Sequence, residues 1–226
     1  GDLVPSVEWF VYAFVRKEAV LSSQIEGTQA TLMDLLEVEA SGEAPVDADV
    51  EEVCGYLDAL NFAWEELDRV TGAPLSMRLL SEAHRRLLAG ARGAGKQPGE
   101  VRRSQNWIGG TRPGNASFVP PPPHRLGDLL SDFEHAIHDD SDLPPLVRVG
   151  LLHVQFETLH RYLDGTGRLG RLLITVNRAV DLLDCSRPAA AKALRVLEAA
   201  AGRAGATPAP SRHRATSGTP IVAIVQ

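Results

Sequence analysis

The stretch His160–Arg171, H-R-Y-L-D-G-T-G-R-L-G-R, constrains the fold of this chain most. An apolar run with Val149, Leu152, Phe156 and Leu159 at helical spacing leads into it, and a second apolar run over residues 167–180 leaves it. Gly165 and Gly167 lie between the two runs. Glycine lets the backbone turn tightly, so successive N–H groups converge on one point. The pattern therefore predicts two helices meeting at a sharp turn, with the second helix opening at the turn. An opening helix offers unpaired N–H groups and the positive end of its dipole, which together suit a phosphate.

The residue types at the turn each have a chemical use. Arg168 and Arg171, three apart, occupy neighbouring helix positions and are expected to reach the same anion. Asp164, just before the turn, is placed to hold a magnesium ion bridging two phosphates. His160 is placed to take a proton from an attacking hydroxyl. A Gly-x-Gly turn alone is weak evidence and commonly just connects two helices. The joint pattern carries the reading: a nucleotide site with a general base beside it.

These twelve residues resemble the Fic family signature H-x-F-x-[D/E]-G-N-G-R-x-x-R, with His160, Asp164, Gly165, Gly167, Arg168 and Arg171 in register. Tyr162 stands where the family has Phe, Arg161 where Pro is common, and Thr166 where Asn is nearly fixed. Thr is β-branched, is strained at positive φ and offers a hydroxyl in place of an amide, so a slower site or a changed donor is expected. A second match lies upstream. Ser22-Ser-Gln-Ile-Glu26-Gly27 looks like the family's inhibitory motif [S/T]-x-x-x-E-[G/N], and Ser22 and Glu26 share a helix face. An acid at a helix C-terminus opposes the dipole unless a cation pairs with it. The resemblance implies that Glu26 pairs with Arg171 and blocks productive seating of the nucleotide γ-phosphate.

The remaining chain reads as helices around this junction. Val7–Gly27 is expected to be a helix buried nearly all round, because Trp9, Phe10, Tyr12, Ala13, Phe14 and Val15 crowd its first half. Thr28 is expected to cap a short helix over residues 30–39. Asp47–Val70 carries an apolar stripe from Val50 to Leu67, and Ser76 caps a further helix through Leu88. The Gly-rich loop Gly90–Gly99 lacks the Walker lysine-serine pair and is not read as a phosphate cradle. Two more helices, residues 124–139 and 143–159, precede the signature. Residues 101–123 form the one credible β region, a hairpin ended by Pro120–Pro123. The local text, W-I-G-G then F-V-P-P-P-P, resembles the family's flap, which implies that Ile108, Gly109, Phe118 and Val119 pair with a target segment. His135, His138 and His153 lack an acid or cysteine constellation and are read as surface or packing residues.

Past Arg178–Leu183 the chain runs into D-L-L-D-C-S-R-P-A-A-A-K-A-L-R-V-L-E, which resembles a winged-helix helix-turn-helix with Ser186 as N-cap and Pro188 in the first turn. Two explanations stay open for this early departure: intervening helices lost, or segments that are not contiguous. The net charge is −6, yet residues 185–226 carry +5 and the remainder −11. That asymmetry suggests a tail facing nucleic acid, with Arg187, Lys192 and Arg195 as candidate DNA contacts. No apolar run approaches the about 18 residues of a membrane span. Two cysteines without metal-site spacing, Cys54 and Cys185, suggest a reducing, cytoplasmic setting.

The expected architecture is all-α: an N-terminal region with the inhibitory helix (1–45), a Fic-type helical core with a small β-hairpin flap (46–180) and a winged-helix-like segment (181–226). What the resemblance implies is transfer of AMP from ATP, with Mg2+, to a Ser, Thr or Tyr hydroxyl of a target protein or of the chain itself. Reversal by deAMPylation and a homodimer are implied with it. The competing expectation is a DNA-binding regulator whose Fic-like body is a sensor or vestige.

Overall fold

The computed structural model describes residues 7–68, 75–90, 92–93, 95–139 and 142–182. Seven α-helices appear among them: α1 Val7–Ile25, α2 Leu32–Ser41, α3 Ala48–Asp68, α4 Met77–Leu87, α5 Leu126–His138, α6 Pro145–Leu159 and α7 Thr166–Leu182. The residues on which the winged-helix and DNA-contact readings rest, Ser186, Arg187, Pro188, Lys192 and Arg195, lie outside the described residues.

Helix ends follow local chemistry. Gly27 takes φ +100°, a left-handed geometry that reverses the chain after α1, and the N–H groups of Glu26 and Gly27 donate to the Ser23 and Gln24 carbonyls at 3.0 Å each. The cap of α2 is Thr31 rather than Thr28. Its hydroxyl accepts the Asp34 N–H while the Asp34 carboxylate accepts the Thr31 N–H, a reciprocal capping box. Thr28 is instead buried in the turn. Ser76 caps α4 as expected, accepting from the Leu79 N–H.

One core runs through the bundle: α3, α4, α6 and α7 share it with buried residues of α1 (Val15, Ala19), α2 (Leu35) and α5 (Leu126, Phe133). Gly55 explains how closely α3 and α4 approach. A Cβ there would lie 2.8 Å from the Leu87 carbonyl oxygen, so any larger residue would push the helices apart. The expected α3 stripe is buried, from Val50 and Val53 through Leu60 to Leu67. So is the α6 stripe Val149, Leu152, Phe156 and Leu159, which delivers the chain to His160.

Two expectations change. α1 buries one face only, through Val15, Ala19 and Val20, while Trp9, Phe10 and Phe14 are more than half exposed. Its apolar wrapping marks residue content, not burial on every side, because a helix at the edge of a bundle has one neighbouring layer. The β-hairpin shrinks to a single antiparallel bridge between Ile108 and Phe118, and no strand occurs among the described residues. Asn115 turns the loop by accepting the Thr111 and Arg112 N–H groups on its side-chain oxygen. Pro120–Pro123 then removes the donors a ladder would need.

Candidate functional site

α6 ends by placing His160 in the left-handed region, φ 43° and ψ 57°, while its N–H still donates to the Phe156 carbonyl at 3.2 Å. That geometry costs a non-glycine residue about 1–2 kcal/mol and must be held by its surroundings. The holder is Arg102, a buried side chain whose Nε donates to the His160 carbonyl at 2.8 Å. Burial lowers the His160 imidazole below the ordinary histidine range, and the Arg102 charge adds to this. The nearby Glu157 backbone and the Glu26 carboxylate act the other way, and the ring Nδ1 has no hydrogen-bond partner among the described residues. The ring is therefore neutral at pH 7, the form that can accept a proton.

The next residues anchor the turn. Arg161 and Tyr162 point into the bundle. Arg161 donates to Ser81 Oγ at 2.6 Å and to Met77 Sδ, and its guanidinium lies over the Tyr162 ring. Tyr162 stacks on His84, with centroids 3.7 Å apart and planes 10° from parallel. His84 is fully buried on α4. Its Nδ1 accepts the Gly99 N–H at 2.7 Å, which leaves Nε2 as donor to the Asp164 carbonyl at 2.9 Å. Burial pushes its pKa down to about 4, so it stays neutral and pins the turn from beneath. The Gly-rich loop thus does structural service here: Gly99 holds His84, and Gly93 lies close to Asp164 Oδ2.

At the turn, Asp164 Oδ1 accepts the Gly165 N–H at 2.6 Å, Gly165 takes φ +71°, and its carbonyl accepts the Leu169 N–H. Gly165 must be glycine, because a Cβ there would press on the His84 ring as well as strain the backbone. α7 therefore opens with its first N–H groups at Thr166 and Gly167, as expected. Thr166 is the first helical residue and avoids positive φ, so the strain expected of a β-branched side chain there does not arise. Its side chain is 2% exposed, and its Oγ1 finds no hydrogen-bond partner among the described residues.

The two arginines part company. Arg168 turns inward, where its Nη1 meets Glu52 Oε2 at 2.9 Å in a pair that is almost wholly buried. Its Nη2 lies 3.6 Å from Asp164 Oδ1. The other Glu52 oxygen takes Arg92 Nε at 2.6 Å. Removing one partner of such a buried pair costs about 3–5 kcal/mol, so Arg168 is held in the wall rather than free to reach outward beside Arg171. Arg171 faces α1. Its Nε donates to Ser22 Oγ at 2.8 Å, and its Nη2 donates to the Ser22 carbonyl at 2.9 Å and to Glu26 Oε1 at 2.6 Å. The Glu26 carboxylate also sits so close over Gly167 that a Cβ there would collide with it. The acid that ends α1 against its dipole is thus accommodated by a guanidinium and by the opposite, positive end of α7.

Around this centre, Asn106 Nδ2 donates to the Tyr162 carbonyl at 3.3 Å and Gln105 Nε2 to the Pro120 carbonyl at 2.9 Å, which fix the base of the 105–120 loop. Ile108, Phe118 and Val119 project outward, each about 40% exposed, and Gly109 turns at φ +69°. His135 and His138 lie on the surface, while His153 packs with Glu157 over Gly170. No group of three or more metal-ligating side chains occurs among the described residues. Asp164, with its side chain 41% exposed and one oxygen free of the Gly165 N–H, matches the different mode in which Mg2+ takes one carboxylate and completes its shell with phosphates and water. Sequence reasoning missed His84, Arg102 and Glu52. His84 had one signal, its place on the inward face of the amphipathic α4.

Comparison with known proteins bears on the family and the fold. Residues 1–65 match the family model described as Fic/DOC family N-terminal, and residues 74–177 the model described as Fic/DOC family. A protein adenylyltransferase Fic of Drosophila virilis is 30% identical over 155 residues, 66% of this chain and 30% of that protein. The equivalent protein of Drosophila grimshawi is 29% identical over the same length. The chain thus spans about 30% of the length of these curated relatives. A Fic domain containing signaling protein from Bacteroides thetaiotaomicron shares the fold at TM-score 0.63 and 17% identity, over 88% of this chain and 85% of that one. A Fic family protein from Desulfovibrio desulfuricans does so at TM-score 0.59 and 23% identity, over 90% and 61%.

Proposed function

The chain belongs to the Fic/DOC family, and from that premise we propose that it transfers AMP from ATP to a protein hydroxyl, restrained by Glu26. One observation supports this reading most. The signature closes into a turn with a neutral base at its start and a helix N-terminus at its end, and a carboxylate already lies over that N-terminus.

In this reading His160 accepts the proton of a Ser, Thr or Tyr hydroxyl as its oxygen attacks the α-phosphorus. The bond from that phosphorus to the bridging oxygen breaks, and pyrophosphate leaves. The N–H groups at the start of α7 and the Arg171 guanidinium stabilise the negative charge that develops. Mg2+, held by Asp164, would supply further positive charge to the phosphates. Arg168 acts indirectly, by fixing the α7 start against Glu52. The outward edge at Ile108, Gly109, Phe118 and Val119 is the docking edge for the target segment. Glu26 holds Arg171 away from the nucleotide and places a negative charge where a phosphate would sit. Removal of AMP would be a separate hydrolysis at the same site: a water oriented by Glu26 attacks the phosphorus, the bond to the target oxygen breaks, and the free hydroxyl and AMP are released.

The test uses wild type, Glu26→Gly and Glu26→Gly/His160→Ala incubated with α-labelled ATP and magnesium. Weak, strong and absent labelling of protein, in that order, is the expected result. Equal labelling of the first two would remove the restraint from the reading, and labelling by the third would remove His160 as base. Label from γ-labelled ATP in place of α-labelled ATP would replace AMP transfer by phosphate transfer.

A further inference from the structure

We propose that Arg102 is a positioning residue that locks the base and the target-docking edge into one unit, an inference that rests on the roles given above to His160 and to the Ile108–Phe118 bridge. The side chain is 1% exposed. Its three side-chain hydrogen bonds go to one carbonyl two residues along its own segment and to two carbonyls elsewhere in the chain. Nε donates to the His160 carbonyl at 2.8 Å, Nη1 to the Ser104 carbonyl at 3.1 Å and Nη2 to the Pro121 carbonyl at 2.5 Å. Its own backbone N–H donates to the Arg161 carbonyl at 3.0 Å. Ser104 begins the arm that leads to Ile108, and Pro121 ends the arm that returns from Phe118. One planar group therefore grips the backbone of the base and both arms of the bridge.

The choice of residue is informative. Among the described residues no carboxylate neutralises this guanidinium, and a buried cation without a counter-charge is costly. A planar fork serves these three carbonyls from three different nitrogens, a spread that a lysine, whose three donors share one nitrogen, cannot match. The charge has a second consequence. The groups acting on the His160 ring are Arg102 from the loop, Glu157 from α6 and Glu26 from α1. Of these only Arg102 favours the neutral, proton-accepting form. Its position thus fixes where the base sits and where the target strand lies relative to it, and its charge adds to the burial that favours the neutral base.

Two variants separate geometry from charge. Arg102→Lys keeps the charge and loses the fork; Arg102→Met loses both. Hydrogen exchange of the Ile108 and Phe118 amides reads the bridge, with Leu57 and Leu60 of α3 as internal reference. The His160 imidazole titration, followed by NMR and assigned with His160→Gln, reads the base. Both variants should speed exchange at the bridge by about tenfold or more while α3 stays protected. Arg102→Met should raise the His160 titration, and Arg102→Lys should leave it near wild type. Wild-type exchange at the bridge in folded Arg102→Lys overturns the proposal, as does a rise in exchange that includes α3 equally, the mark of general destabilisation. An unmoved imidazole in folded Arg102→Met also overturns it. Should Arg102→Met not fold, bridge exchange in Arg102→Lys decides alone. Neither readout needs nucleotide, so silence in the labelling experiment would sink AMP transfer while leaving this result legible.

Discussion

Thr166 is the residue on which the rate of the proposed reaction turns. Its hydroxyl is buried without a partner among the described residues, and its backbone is helical, so asparagine would meet no backbone strain there. If the family's amide serves a phosphate oxygen, Thr166→Asn in the Glu26→Gly background should raise the labelling rate by about tenfold or more. An unchanged rate would show that the hydroxyl suffices. His160 makes a second prediction. Its pKa lies below the usual value of 6.5, so the neutral form predominates at pH 7 and declines in more acid solution. A pH–rate profile of Glu26→Gly should fall on the acid side with a midpoint below pH 6.5. A limb at or above pH 7 would contradict the burial seen here. The residues that were legible in advance are those written next to one another, His160 to Arg171, with Ser22 and Glu26 legible through a second short pattern. Glu52, His84 and Arg102 were not, because each is defined by a partner 116, 80 or 58 residues away. A buried arginine and a surface arginine are the same letter until the fold assigns their partners. The same limit explains Arg168: spacing put it beside Arg171, and only the acid on α3 decides which way it turns.

At the scale of elements, α1 works as a strut. Val15, Ala19 and Val20 seat it on the bundle, and its last turn presents Ser22 and Glu26 to Arg171. The exit geometry matters because Glu26 sits just beyond the helical residues and Gly27 follows at φ +100°. A Cβ at Gly27 would meet open space, so a substitution there acts through the backbone alone. Gly27→Ala should cost about 1 kcal/mol of stability and loosen Glu26. Labelling should then rise to a value between wild type and Glu26→Gly, with a lower thermal midpoint. Wild-type labelling in that variant would show that Ser22 and Glu26 hold without help from the turn. Helix positions were largely readable from periodicity and caps, since α3, α4 and α6 each bury the stripe their spacing draws. The bridge at Ile108 and Phe118 was read as a fuller hairpin, because aromatic and β-branched residues favour strands without fixing how far pairing extends.

The whole molecule should register the burial of His84. Its folded pKa of about 4 lies below the unfolded value of 6.5. The stability linked to this group is therefore complete above pH 6.5 and is lost as pH falls toward 4, by on the order of 3 kcal/mol. His160, lowered by burial as well, acts in the same direction. Urea unfolding at pH 7 and pH 4.5 should show a smaller drop in His84→Gln than in wild type, and parallel drops would rule out this histidine as the acid-sensitive group. Chain order gives the Glu26–Arg171 contact a further meaning. The two residues lie 145 positions apart, and a chain is synthesised from its N-terminus. The carboxylate is therefore already made when the arginine is still to be added, so a newly completed chain carries both halves of the contact as the turn forms. Under the proposed function, nascent copies never pass through an unrestrained phase in which they could label the synthesis machinery around them.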